Sequence, residues 1–152
     1  RDRKKINEAA DILANVANKC ETLINHMKKK YPNDKRVERL VANFDKQRCV
    51  ETLPNSELTA YSENKGEKVA FCLNKNKSGT KLIDINTLTF VALHELSHVM
   101  SVSIGHNDEF WKNFKFILDN AVEINIYEPV DYRKKPENYC GLEITDNPYY
   151  DL

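Results

Sequence analysis

The chain has 152 residues, 41% of them hydrophobic and 30% charged, with 23 Lys/Arg balanced by 23 Asp/Glu. That is one domain's worth of chain, long enough to bury a core without staples, and its composition argues against disorder. Four glycines and five prolines exclude collagen-like and low-complexity chains, and no apolar run approaches the roughly 20 residues that span a bilayer.

The first predicted element is a helix from about Ile6 to Lys30. Ile6, Ala9, Ala10, Leu13, Val16, Ala17, Cys20, Leu23, Ile24 and Met27 recur at spacings of three and four, which makes one apolar stripe. Lys28, Lys29 and Lys30 suit a helix C-terminus, where the macrodipole favours cations, and Tyr31-Pro32 stops the helix. A second helix is predicted from Asp34 to about Lys46, with Val37, Leu40, Val41 and Phe44 on its apolar face. The charge is uneven: residues 1–50 hold 13 Lys/Arg against 7 Asp/Glu. DNA association through this basic N-terminal third is one expectation, and a solvated helical surface is the plainer one.

Residues 48–84 read as a small sheet. Cys49 to Leu53 ends at Pro54, Leu58 to Tyr61 is short and β-prone, and Lys68 to Leu73 is the best strand in the chain. Asn64-Lys65-Gly66 and Asn76-Lys77-Ser78-Gly79 punctuate these runs as turns. The expectation is three strands, mostly antiparallel, with a fourth strand or an extended lead-in at Lys81-Leu82-Ile83. Asn86 is the expected cap of a helix from Thr87 to about Ser103, ended before Gly105. Another helix is expected from Asn107 or Asp108, with a stripe of Phe110, Phe114, Ile117, Leu118 and Ala121. Residues 123–152 read as an extended polar and aromatic tail that wraps the surface. Together these make one α+β domain over 1–152: a helical part at 1–47, a sheet at 48–84, two helices over 86–122, and the tail.

Cys20, Cys49, Cys72 and Cys140 form no C-x-x-C pair, which excludes a zinc ribbon or a thioredoxin motif. Their wide spacing reads as reduced, mostly buried thiols, which favours an intracellular location, cytoplasm or nucleus. The chain opens on Arg1 rather than Met and reads as a piece of something longer.

One motif carries chemistry. His94-Glu95-Leu96-Ser97-His98 is H-E-x-x-H within a predicted helix. Residues four apart share a helix face, so two imidazoles at this spacing can bind one Zn²⁺. Glu95, rotated by about 100° around the axis, stays off the metal yet reaches a water held there, whose proton it can take as general base. A catalytic zinc wants three protein ligands and an open position. His106 is the foremost candidate for the third, since Gly105 permits the turn that folds it back onto the helix. Phe110 and Trp111 would pack that turn onto the core. Glu123, Glu109, Asp108, Cys72 and Cys140 are the alternatives. Asp84 or Asp108 can orient a ligand histidine. Tyr127 and Tyr132 are candidate oxyanion donors that read more readily as packing residues.

The unit HELSHVMSVSIGHNDEFW, with its third histidine eight residues past the second and x-x-x-F-W after it, resembles the WLM and SprT-like zinc metallopeptidases. The likeness is specific over residues 90–118. From about Leu82 to Tyr132 it is nearest to WLM-type proteins, including those of large DNA viruses. The resemblance implies a zincin-like α+β fold and one zinc held by His94, His98 and His106, with Glu95 as general base and acid. It implies a protein or peptide substrate, and in some members proteins crosslinked to DNA. No partner-binding tail motif or separate DNA-binding module is visible in the 152 residues. A non-catalytic zinc-organised binding module and a zinc amidase acting on a non-protein substrate are the rival expectations.

Overall fold

The computed structural model describes residues 3–52, 60–63, 65–75 and 81–151. It is an α+β fold. Helix α1 (Arg3–Lys30) buries Ala9, Val16, Ala17, Cys20, Leu23, Ile24 and Met27; of the predicted stripe, Ile6 and Ala10 are exposed and Leu13 is half-buried. Helix α2 (Lys35–Asn43) is shorter than predicted. The Asp34 carboxylate accepts from the backbone N–H groups of Arg36 and Val37 as N-cap, and the chain turns extended at Phe44.

Three short strands follow: β1 (Cys49–Glu51), β2 (Ala60–Glu63) and β3 (Lys68–Phe71). Their order is β1-β3-β2. The sheet is mixed, which corrects the mostly antiparallel expectation. A tight turn that includes 65–67 makes β2 and β3 antiparallel, with Ala60 opposite Phe71 and Glu63 opposite Lys68. β1 joins the other side of β3 and runs parallel to it, Cys49 opposite Val69. β2 is thereby an edge strand. Gly66 (φ +114°) is packed so closely that a Cβ there would lie 2.3 Å from the Asn43 carbonyl oxygen. The lead-in at 81–83 folds back on 73–75, where Lys75 N–H donates to Lys81 O and Ile83 N–H to Leu73 O. The segments expected at Leu53 to Thr59, at Asn64 and at Asn76 to Thr80 lie outside the described residues.

Helix α3 (Ile85–Met100) crosses the centre of the molecule and is buried on nearly every side. Such a helix is held by packing rather than by its own propensity. Its cap is Asp84, whose carboxylate accepts from the Thr87 N–H and hydroxyl. Asn86, the expected cap, instead donates to Glu128 O and accepts from Glu128 N–H. The hydroxyls of Thr89, Ser97 and Ser101 each donate to the carbonyl one turn earlier, so these buried polar groups are satisfied. Helix α4 (Asp108–Glu123) packs on α3 and starts where predicted, with Asn107 as its N-cap.

The C-terminal segment is not a surface wrap. Tyr132 and Tyr127 are buried against Phe90. Their hydroxyls lie 3.1 Å apart, and Asn147 donates to that of Tyr127. This places both phenols in the core and rules them out as oxyanion donors. The chain then forms a hairpin of β4 (Glu137–Tyr139) and β5 (Leu142–Ile144), with Tyr139 opposite Leu142. Cys140 and Gly141 turn it at φ +50° and +82°. The hairpin is fastened to the segment after β3 by a Cys72–Cys140 disulfide with Cα atoms 6.2 Å apart, by Cys140 N–H to Asn74 O, and by a Lys75–Glu137 ion pair. The expectation of reduced thiols therefore fails for two of the four cysteines, because the hairpin carries Cys140 back to the end of β3. Cys20 and Cys49 are free and buried, and burial pushes their thiols well up.

Much of the N-terminal basic charge serves the fold. Lys30 pairs with Glu123, Lys46 with Glu21 and Arg36 with Asp34, while Lys19 donates to Ile126 O and Arg39 to Met100 O. Among the described residues no helix is long and apolar enough to cross a membrane.

Candidate metal centre

His94 and His98 sit one turn apart on α3, on its one partly exposed face. The chain leaves the helix at Ser101 and bends back at Gly105 (φ +92°). No neighbour lies within 4 Å of a Cβ built at Gly105, so its backbone conformation alone calls for glycine. The bend carries His106 over the helix. Its Nε2 lies 3.2 Å from that of His94 and 3.2 Å from that of His98. The three imidazoles thus offer nitrogens within 4.8 Å of one another, and they could hold a metal ion. Convergence of three imidazole nitrogens on one point fits the donor set of a three-histidine centre.

One buried ring organises all three. Phe110, in the first turn of α4, stacks on His98 at 4.3 Å between centroids and meets His106 and His94 edge-on at 4.8 and 4.9 Å. Trp111 departs from expectation. It is 41% exposed and lies beside His106 rather than in the core.

Burial, with the neighbouring imidazoles adding to it, holds His94 down at about 3 and His98 at about 4. Both are therefore neutral near pH 7, the form that binds metal. Glu95 is 5% exposed, and burial pushes its carboxyl up to about 8. Its Oε2 is 3.9 Å from the His94 Nε2, beside the cluster and not in it. A cation at the imidazoles would favour its ionised form.

The loop that carries His106 is fixed by a residue the sequence reading weighed only as a ligand. Glu109 accepts from the backbone N–H groups of Val102 and Ser103, at 2.9 and 3.0 Å, and from the Ser103 hydroxyl. Those bonds, the Ser103 hydroxyl first, hold its carboxyl down at about 2. Asn107 adds a bond to the Ser103 hydroxyl. On the other side, Lys65 of the β2–β3 turn donates to His98 O and Ser103 O. A cation at the last carbonyls of α3 complements the helix dipole. The remaining alternatives fall away. Glu123 pairs with Lys30, Cys72 and Cys140 are bonded to each other, Asp84 caps α3, and Asp108 does not join the histidine cluster.

The imidazoles floor a cleft of about 490 Å³. Its walls are β2 (Ala60, Tyr61, Ser62), Lys65 and the Ile104-Gly105 bend.

The WLM domain profile matches residues 1–148. Among viral relatives, "Uncharacterized protein R325" of Acanthamoeba polyphaga mimivirus is 31% identical over 144 residues, which cover 92% of this chain and 73% of that protein. "Uncharacterized protein 136R" of Invertebrate iridescent virus 6 is 36% identical over 77 residues, 49% of this chain and 41% of that protein. "Uncharacterized protein 042R" of Invertebrate iridescent virus 3 is 38% identical over 85 residues, 55% of this chain and 50% of that protein. The crystal structure of Wss1 from Saccharomyces cerevisiae aligns with a TM-score of 0.44 at 19% identity, over 51% of this chain and 60% of that one.

Proposed function

This chain belongs to the WLM domain family, and on that premise we propose that it is a zinc-dependent peptidase. The observation that carries the reading is the convergence of the His94, His98 and His106 Nε2 atoms beside a buried carboxylate. His94, His98 and His106 would hold the ion. Bound there, zinc would supply Lewis acidity for the scissile carbonyl and ease deprotonation of the attacking water. Glu95 takes that proton and returns it to the leaving amine. Its burial serves both steps, because a carboxyl of raised pKa holds a transferred proton well. The edge strand β2 offers an extended substrate a row of backbone groups along the cleft wall, the geometry of strand addition. This favours a peptide over a small amide. A buried general base beside the cluster has no use in a purely structural site, which weighs against a binding module.

Metal content and turnover test the reading together. Wild-type chain should hold one zinc, and His106→Ala should lose it or bind it far more weakly. Glu95→Gln should keep the zinc and lose about 10²–10⁴-fold in peptide hydrolysis. A fully active Glu95→Gln would sink the mechanism, and zinc untouched by His106→Ala would sink the ligand set.

A further inference from the structure

A second cleft, of about 430 Å³, shares Ala60, His94, Glu95 and His106 with the first, so the two form one groove that meets at the imidazoles. Their chemistry differs. The first has Ser62 and the Lys65 ammonium in its walls, beside Tyr61 and the Ile104-Gly105 bend. The second is walled by apolar side chains from three elements: Val91 of α3, Trp111 of α4, and Tyr139, Leu142 and Ile144 of the hairpin. Trp111 and Leu142 are 41% and 54% exposed. Large apolar side chains facing water at the mouth of an apolar groove mark a surface that another apolar group covers. The rim carries two carboxylates, Glu143 and Asp146, and Arg133 pairs with Asp146.

We propose that this cleft is a specificity pocket, which takes a bulky uncharged side chain, aromatic or leucine-like, of the residue next to the peptide bond that is cut. The proposal rests on the peptidase reading and deepens it. The occupant is fixed by continuity and by chemistry. A peptide lying along β2 over the imidazoles passes the mouth of this cleft, its walls reward apolar area, and the Glu143 carboxylate in its lining repels Asp and Glu. The hairpin fastened at Cys72–Cys140 supplies Tyr139, Leu142 and Ile144 to the lining, so one side of the pocket depends on that attachment.

Trp111 is the one tryptophan in the chain and forms a wall, so its fluorescence reports occupancy without turnover. The blocked peptides Ala-Phe-Ala, Ala-Ala-Ala and Ala-Glu-Ala would be titrated into the full chain carrying Glu95→Gln. The phenylalanine peptide should shift the emission and bind at least about tenfold more tightly than the alanine peptide, as burial of an aromatic side chain in such a pocket provides. The glutamate peptide should bind most weakly. Leu142→Asp, at an exposed position that does not threaten the fold, should erase the preference. Equal binding of the phenylalanine and alanine peptides, no emission change with any of them, or a preference that survives Leu142→Asp would overturn the pocket. Parallel digestion by the wild-type chain separates the two readings. Cleavage without a phenylalanine preference overturns the pocket alone, whereas selective binding without cleavage overturns the peptidase reading alone.

Discussion

The two walls of the groove are built in opposite ways. The imidazole side is α3, the bend and the start of α4: a helix buried on nearly every side, a ring of Phe110 under all three histidines, and hydrogen bonds from Glu109, Asn107 and Lys65. The far wall is a hairpin of two three-residue strands. It leans on the body through the Cys72–Cys140 disulfide, backbone hydrogen bonds from Cys140 N–H to Asn74 O and from Gly141 N–H to Lys75 O, the Lys75–Glu137 ion pair and the buried Tyr139. An isolated two-stranded hairpin is marginal in water, so its attachment decides its place. Under the proposed function, the chemistry that needs tight geometry would sit on the rigid wall, and shape selection on the more lightly attached one.

Removing the disulfide gives the largest expected effect and tests that contrast directly. The bond closes 68 residues of chain, which by chain entropy is worth about 4 kcal/mol. Cys72→Ser should lower the urea midpoint accordingly. It should also lower the affinity for the phenylalanine peptide while zinc stoichiometry stays at one per chain, because no ligand rests on the hairpin. Loss of zinc in Cys72→Ser would mean that the two walls form one cooperative unit.

The same contrast explains what could be read from the sequence. His94, Glu95 and His98 were legible because the spacing of four is a property of one helix, which tertiary context does not alter. His106 was legible through Gly105, a local backbone signal. The role of Glu109 was not: an acid in the first turn of a helix is ordinary, and only the fold shows that it reaches back to 102–103. The hairpin was hidden because its turn is Cys140-Gly141 rather than Asn-Gly, and because three-residue strands show almost no alternation. The Cys72–Cys140 pairing and the parallel partner of β3 depend on contacts distant in sequence, which no local pattern encodes. Trp111 was misread as core because an aromatic ring beside Phe110 at a helix start is ordinarily buried, and only the fold shows it lying beside His106 and 41% exposed.

Glu109→Gln probes the rigid wall at a smaller scale. The carboxylate bonds become neutral ones, at a cost of about 1 kcal/mol at this partly exposed position. The bend should loosen, with about tenfold weaker zinc binding, as for other groups that orient a ligand. The pH dependence has a definite sign. The folded-state pKa of Glu109 is depressed to about 2 from 4.5. Its contribution is therefore fully present above about pH 5 and is lost as pH falls toward 2. The difference in stability between wild type and Glu109→Gln, followed by thermal melts, should shrink over that window and be flat above it. A constant difference down to pH 2 would show that packing, not the charge, holds the bend.

Lys65→Met should have the smallest effect and is the finest probe of the contrast. Lys65 reaches from the β2–β3 turn to His98 O and Ser103 O, so it ties the strand wall of the first cleft to the end of α3. Methionine keeps most of the stem and removes the cation. The helix-end interaction is worth about 0.5–1 kcal/mol, which sets the expected loss of stability. Arg39 still donates to Met100 O, so α3 keeps one of its two terminal cations and should not fray. If the rigid wall is redundant in this way, zinc affinity in Lys65→Met should change by less than about fivefold, the ratio that such a free energy allows. A larger loss would place β2 itself among the supports of the centre. The hairpin would then be the only detachable part of the groove.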